Sequence, residues 1–142
     1  MKKQLIRIAK PIVERIPRLA MLYRYLRDSW QINKEPQETA MGFKFVGDQS
    51  MQNGQFEPEE TQIVKNILPN VDVVINVGAN IGYYCCIALS QEKHVVAFEP
   101  ITLNLRYLMR NIIANNWESR IEVFPIALSN SVGIVEIYGG GD

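Results

Sequence analysis

Between Val71 and Val77 the chain reads V-D-V-V-I-N-V, apolar at nearly every position. A strand with one wet face alternates, whereas a strand covered on both faces does not, so this run predicts a strand deep in a parallel sheet. The period then changes. Residues 82–91 read as a helix and His94 to Phe98 as a second strand. Thr102 to Asn115 reads as a longer helix, with Leu105, Leu108, Met109, Ile112 and Ile113 at i, i+3, i+4, i+7 and i+8. A third strand follows at Ile121 to Ile126, and "SNSVG" turns into a fourth at Ile134 to Tyr138. The order from Val71 is therefore β-α-β-α-β, the first half of a doubly wound α/β sheet. Crossovers of this kind are right-handed and make the strands parallel, so their carboxyl ends share one edge, where such sheets bind ligands.

Upstream the signals are shorter. Phe43-Lys44-Phe45-Val46 alternates and ends at Gly47-Asp48, which fits a strand or hairpin. "FEPEE", Phe56 to Glu60, opens a helix, because Pro58 suits the first helical turn and Glu59 and Glu60 suit its positive end. Ile63, Val64, Ile67 and Leu68 supply its buried face and Pro69 stops it. Residues 1–34 read as two helical pieces broken near Pro11 and Pro17, with Ile8, Ile12, Ile16, Leu19, Tyr23, Leu26 and Trp30 along one side. Three segments result: an amphipathic arm over 1–34, a hairpin and helix over 35–70, and the sheet-forming part over 71–142.

Charge changes the picture of the arm. The 142 residues carry 15 basic and 15 acidic side chains, yet residues 1–34 hold nine Lys/Arg and two acids while residues 35–142 hold six and thirteen. A basic amphipathic segment can pack on its own acidic domain or touch an anionic membrane surface. No stretch approaches the roughly 18 apolar residues of a spanning helix. Cys85 and Cys86 are adjacent and are the only cysteines, without metal-ligand spacing; they read as small apolar helix residues in a reducing, cytoplasmic setting. An acidic domain without a recognition motif disfavours nucleic acid as a partner.

The chemistry gathers where the first sheet strand ends. Gly78-Ala79-Asn80-Ile81-Gly82 follows Val77 directly. Gly78 can take backbone angles closed to other residues and lets a ligand approach the main chain, while Gly82 permits close packing where the next helix begins. The N–H groups of that first turn can face a carboxylate or phosphate. Glu99 lies 21 residues after Gly78, at the end of the next strand. The return strand brings its carboxylate to the same edge, where it can accept from ribose hydroxyls. Glycine turn and acid together predict a nucleoside-bearing cofactor. A dinucleotide site would read G-x-G-x-x-G, and Asn80 stands where its middle glycine would be, which disfavours an NAD(P)-binding oxidoreductase.

Four ordered stretches, "FEPEE", "VINVGANIGYY", "VVAFEP" and "EVFPIALSN", resemble the FkbM-type S-adenosylmethionine-dependent methyltransferases, over about Phe43 to Tyr138. The resemblance implies a Rossmann-like class I methyltransferase fold and methylation of an oxygen on a sugar, glycan or other small molecule. By the same resemblance Gly78, Ala79, Asn80 and Gly82 would form the loop under the methionyl part of S-adenosylmethionine. Glu99 would hold its ribose, Pro100 would shape the pocket, and Ala127 and Leu128 would border the adenine. The family commonly has an acid where this chain has Asn76, so weaker binding of the cofactor's ammonium group is expected, since charge-assisted hydrogen bonds are roughly twice as strong as neutral ones. The family also continues with a further strand bearing a "D-V-E-G"-like motif that pairs with Val73–Val77. The chain therefore reads as the first half of that fold, with its catalytic acid or base beyond Asp142. His94, at the start of the second strand, sits at the wrong edge for that role, and Tyr83 and Tyr84 read as packing residues. Glu57, Glu59 and Glu60 fit a solvated helix start and a pocket wall equally. The competing reading is a non-catalytic binding or membrane-associated module that works through residues 1–34.

Overall fold

The computed structural model describes residues 33–136. Packing divides the chain into two units, Met1–Lys34 and Glu35–Asp142. The helices expected within residues 1–32 lie outside the described residues, so the elements below belong to the second unit.

That unit opens with an antiparallel hairpin, β1 (Gln37–Glu38) and β2 (Lys44–Phe45), with Gln37 opposite Phe45. A short helix, α1 (Gln49–Gln52), starts at Asp48, whose carboxylate accepts the Ser50 N–H at 2.8 Å. The next helix, α2 (Pro58–Ile67), begins at the proline of "FEPEE" and runs into a 3₁₀ turn at Leu68–Asn70. Of its expected inner face Leu68 is buried and Val64 half buried, but Ile63 and Ile67 are exposed and Thr61 is buried in their stead. Thr61 tolerates burial because its hydroxyl donates to the Phe56 carbonyl at 2.9 Å, so its polar atom is satisfied locally.

The remaining elements are β3 (Val73–Val77), α3 (Tyr83–Ser90), β4 (His94–Phe98), α4 (Thr102–Ile113) and β5 (Ile121–Phe124). The strands pair in parallel in the order β3-β4-β5, with Val73 beside His94 and Val95 beside Ile121. The result is a mixed α/β chain with a three-stranded parallel sheet, compatible with a Rossmann-like arrangement. No described helix is long and apolar enough to cross a membrane.

Side chains alternate across each strand. Val74, Val95, Ala97, Ile121 and Val123 join Cys85, Ile87, Leu89, Leu108 and Ile112 in one core, which α3 and α4 close from one side of the sheet. On the other side Val73, Ile75 and Val77 are exposed, Ile75 by 66%, and Phe98 stacks on Phe124 with ring centroids 5.1 Å apart. No described helix covers that face and no described strand pairs with the outer edge of β3. The expectation of a deeply buried β3 is corrected accordingly: its apolar residues occupy both faces, but only one face has a layer of helices against it.

Two further expectations change. On α4, Met109 and Ile113 point outward and Asn111 takes an inner position beside Leu108 and Ile112. Of the fourth strand expected over Ile134 to Tyr138, residues 134–136 form no strand and Ile134 is 102% exposed, while residues 137–138 lie outside the described residues; β5 stops at Phe124. Pro125 explains the stop, since it has no N–H to offer a ladder.

Candidate functional site

At the end of β3 the chain turns through three residues with positive φ: Gly78 at +77°, Asn80 at +51° and Gly82 at +89°. The left-handed region is open to glycine and tolerated by asparagine, which is why these residue types stand there. The two glycines serve different ends. A β-carbon on Gly82 would lie 3.1 Å from Cγ and 3.5 Å from Cα of Leu108, so glycine lets the start of α3 press against α4. A β-carbon on Gly78 would meet nothing within 4 Å, so the backbone there borders open space.

The turn is fastened to the neighbouring strand. The N–H groups of Gly78 and Ala79 both donate to the Phe98 carbonyl at 2.9 Å, and Gly82 N–H donates to the Ala79 carbonyl at 2.9 Å. One residue past Phe98, the Glu99 N–H reaches across to the Phe124 carbonyl at 3.1 Å, which keeps the ends of β4 and β5 level.

Glu99 itself turns back toward the loop. Its Oε2 accepts the Asn80 N–H at 2.8 Å, and its Oε1 accepts the Ile101 N–H at 2.9 Å and the Asn104 side-chain amide at 3.2 Å. Only 4% of the residue is exposed. Such burial of a carboxyl group is tolerable because three donors converge on it. A carboxylate offers about four acceptor positions. One therefore remains, on Oε2.

The other expected residues are distributed around this centre. Pro100 is half buried between Glu99 and Ile101. Asn76 is half buried on the helix-covered face, where its amide nitrogen lies 3.3 Å from Cys85 Sγ. Burial pushes the Cys85 thiol up to about 11, with the Asn76 bond acting in the opposite sense, so at neutral pH the amide meets a neutral thiol. Ala127 and Leu128 follow β5 in a segment without regular structure, and both are exposed. His94 is exposed at the start of β4, at the sheet edge away from the loop.

Beside the loop stands a pair that the sequence pattern does not join. Tyr84 donates its phenol to Glu57 Oε2 at 2.6 Å, and Glu57 holds a left-handed backbone, φ +42°, just before α2. Burial first, then the bond to Glu57, pushes the Tyr84 phenol up to about 12. Tyr83 is buried between Phe45, Phe56 and Tyr84, with edge-on centroid distances of 6.1, 5.2 and 5.3 Å, and its hydroxyl has no hydrogen-bond partner. Asn104, Asn111 and Asn115 also escape a reading based on hydropathy. Their spacing carries a signal: seven and four residues apart, they fall on the same helical face as Leu108 and Ile112.

No family model matches the chain, and no curated protein does. Among solved structures, a Pyrococcus horikoshii protein provisionally named a transferase superposes with a TM-score of 0.48 and 17% identity, over 85% of this chain and 50% of that one. The chain thus spans half the length of that protein, and a likeness this distant decides nothing about function. What stands is the geometry: three parallel strands whose carboxyl ends carry a glycine turn and a buried glutamate, hydrogen-bonded to each other.

Proposed function

We propose that this chain supplies the cofactor-binding part of an S-adenosylmethionine-dependent methyltransferase of the FkbM type, acting on a hydroxyl of a sugar, glycan or other small molecule. One observation carries the reading. The Asn80 N–H···Glu99 bond of 2.8 Å brings a glycine turn and a strand-end acid to one rim from 19 residues apart. The open side of Gly78 and the spare acceptor position on Glu99 fit an adenosine-containing ligand at that rim.

In this reading Gly78, Ala79, Asn80 and Gly82 lie under the methionyl part, Glu99 accepts a ribose hydroxyl, Pro100 shapes the pocket, and Ala127 and Leu128 border the adenine. Bound there, S-adenosylmethionine supplies a methyl group on a positively charged sulfur. The chain's own residues orient the two ends of the cofactor, and such positioning is the main contribution a protein makes to an in-line displacement. Asn76 offers no charge to the ammonium end, and its amide is engaged with Cys85.

Calorimetric titration of the full chain with S-adenosylmethionine, and separately with NAD(H), tests the proposal. Saturable S-adenosylmethionine binding is expected, at least fivefold weaker in Glu99→Gln, because a carboxamide must turn its own donor toward one of three donors. Absence of binding, or equal binding by a folded Glu99→Gln chain, rejects it. Binding of NAD(H) alone favours the dinucleotide reading instead.

A further inference from the structure

Asn111 is fully buried on α4, and its side chain serves backbone groups on two other segments. Oδ1 accepts the Val46 N–H at 2.7 Å, while Nδ2 donates to the Val46 carbonyl at 3.2 Å and to the Ile81 carbonyl at 2.9 Å. Four residues on, Asn115 treats Lys44 in the same way, accepting its N–H at 2.9 Å and donating to its carbonyl at 2.7 Å. The spacing explains the pairing. Four helical residues rise about 6 Å, and two strand residues span about 6.6 Å. Two amides one helical turn apart therefore meet alternate residues, Lys44 in β2 and Val46 just after it. Phe43 gives its carbonyl to Thr39 on the β1 side, at 2.9 Å, so Lys44 and Val46 face the other edge. The asparagines close that edge as a strand would.

Asn111 differs from Asn115 in its second amide hydrogen, which goes to the loop at the strand ends. A trans peptide points its C=O and N–H in opposite directions. Holding the Ile81 carbonyl toward α4 thus directs the Gly82 N–H the other way, where it bonds Ala79 O at 2.9 Å and closes the turn. The loop is gripped from two sides: its early N–H groups by Phe98 and Glu99, its late carbonyl by Asn111.

We infer that Asn111 is a positioning residue for the 78–82 loop, holding its backbone in the shape that receives the cofactor and linking that shape to the β1–β2 hairpin. The cofactor half of this inference rests on the function proposed above; the tether rests on its own bonds. Asn115 is the internal control, because it shares the hairpin bonds and lacks the loop bond.

The test compares the full wild-type chain with Asn111→Ala and Asn115→Ala, at a temperature where all are folded, by amide hydrogen exchange and by calorimetry with S-adenosylmethionine. Both variants lower the melting temperature. Asn111→Ala alone speeds exchange of the Gly82 N–H at least tenfold and weakens S-adenosylmethionine about tenfold, while Asn115→Ala stays within twofold on both. Equal loop exchange in the two variants overturns the tether, and faster exchange with unchanged binding overturns the positioning role. Should Asn111→Ala not fold, the wild-type chain decides. Added S-adenosylmethionine then shifts the side-chain amide resonances of Asn111 and leaves those of Asn115 in place, and the inference falls if neither or both move. A wild-type chain that binds no S-adenosylmethionine rejects the functional reading and the cofactor half with it, and Gly82 exchange alone then judges the tether.

Discussion

The backbone N–H of Asn80 donates to the carboxylate of Glu99 at 2.8 Å, so a loop after one strand and an acid after the next are held as a unit. Ile101 and Asn104 complete the set of donors. Glu99→Ala leaves three donors facing a void and should destabilise the fold by roughly 2–4 kcal/mol, since each buried group left unpaired costs about 1–3 kcal/mol. Urea unfolding measures this. A loss below about 0.5 kcal/mol would mean the bonds contribute little.

Gly78 and Gly82 separate two reasons for glycine. Both have positive φ, but only Gly82 faces a close neighbour: a methyl group there would stand 3.1 Å from Leu108 Cγ. Gly78→Ala should lose about 1–2 kcal/mol from the left-handed backbone alone. Gly82→Ala adds overpacking and should lose about 2–4 kcal/mol. Equal losses in thermal unfolding would show that contact with α4 is not limiting.

Alkaline pH should weaken the fold through Tyr84. Its phenol is pushed up to about 12 in the folded chain, by burial first and by Glu57 second, against an ordinary value of 10.0. The folded state therefore retains a proton that the unfolded state releases. The contribution is complete below pH 10 and is lost as pH rises toward 12. Tyr84→Phe should flatten the decline of stability over that window, and an unchanged slope would contradict a phenol held up by burial and by Glu57.

Cys85 and Cys86 are both buried, and burial raises both thiols, Cys85 to about 11 and Cys86 well above its usual value. The thiolate is the reactive form. A thiol reagent at pH 7 should leave both untouched in the native chain and label both in urea. Rapid labelling of the native chain would show that α3 opens readily.

How much of this is legible in the letters depends on what each residue reports. His94–Phe98 can be bounded correctly because polar residues precede it and Glu99-Pro100 follows. The glycine turn and its companionship with Glu99 are legible because they follow from strand direction and backbone angles. The inner face of α4 is misread because hydropathy counts asparagine as a surface residue, whereas Asn111 is buried with its amide fully engaged by backbone. The exposure of Ile75 is equally hidden, since an apolar run does not say how many layers lie against it.

The proposed function places one adenosine-containing molecule between the turn at Gly78–Gly82 and Glu99. The most direct measurement is a two-dimensional NMR titration of the isotope-labelled full chain with S-adenosylhomocysteine, which leaves no reaction to complicate the spectrum. The predicted result is saturable shifts concentrated in the amides of Gly78, Ala79, Asn80, Gly82 and Glu99, with β1 and β2 little changed. An unaltered spectrum, or shifts centred away from that rim, would contradict it.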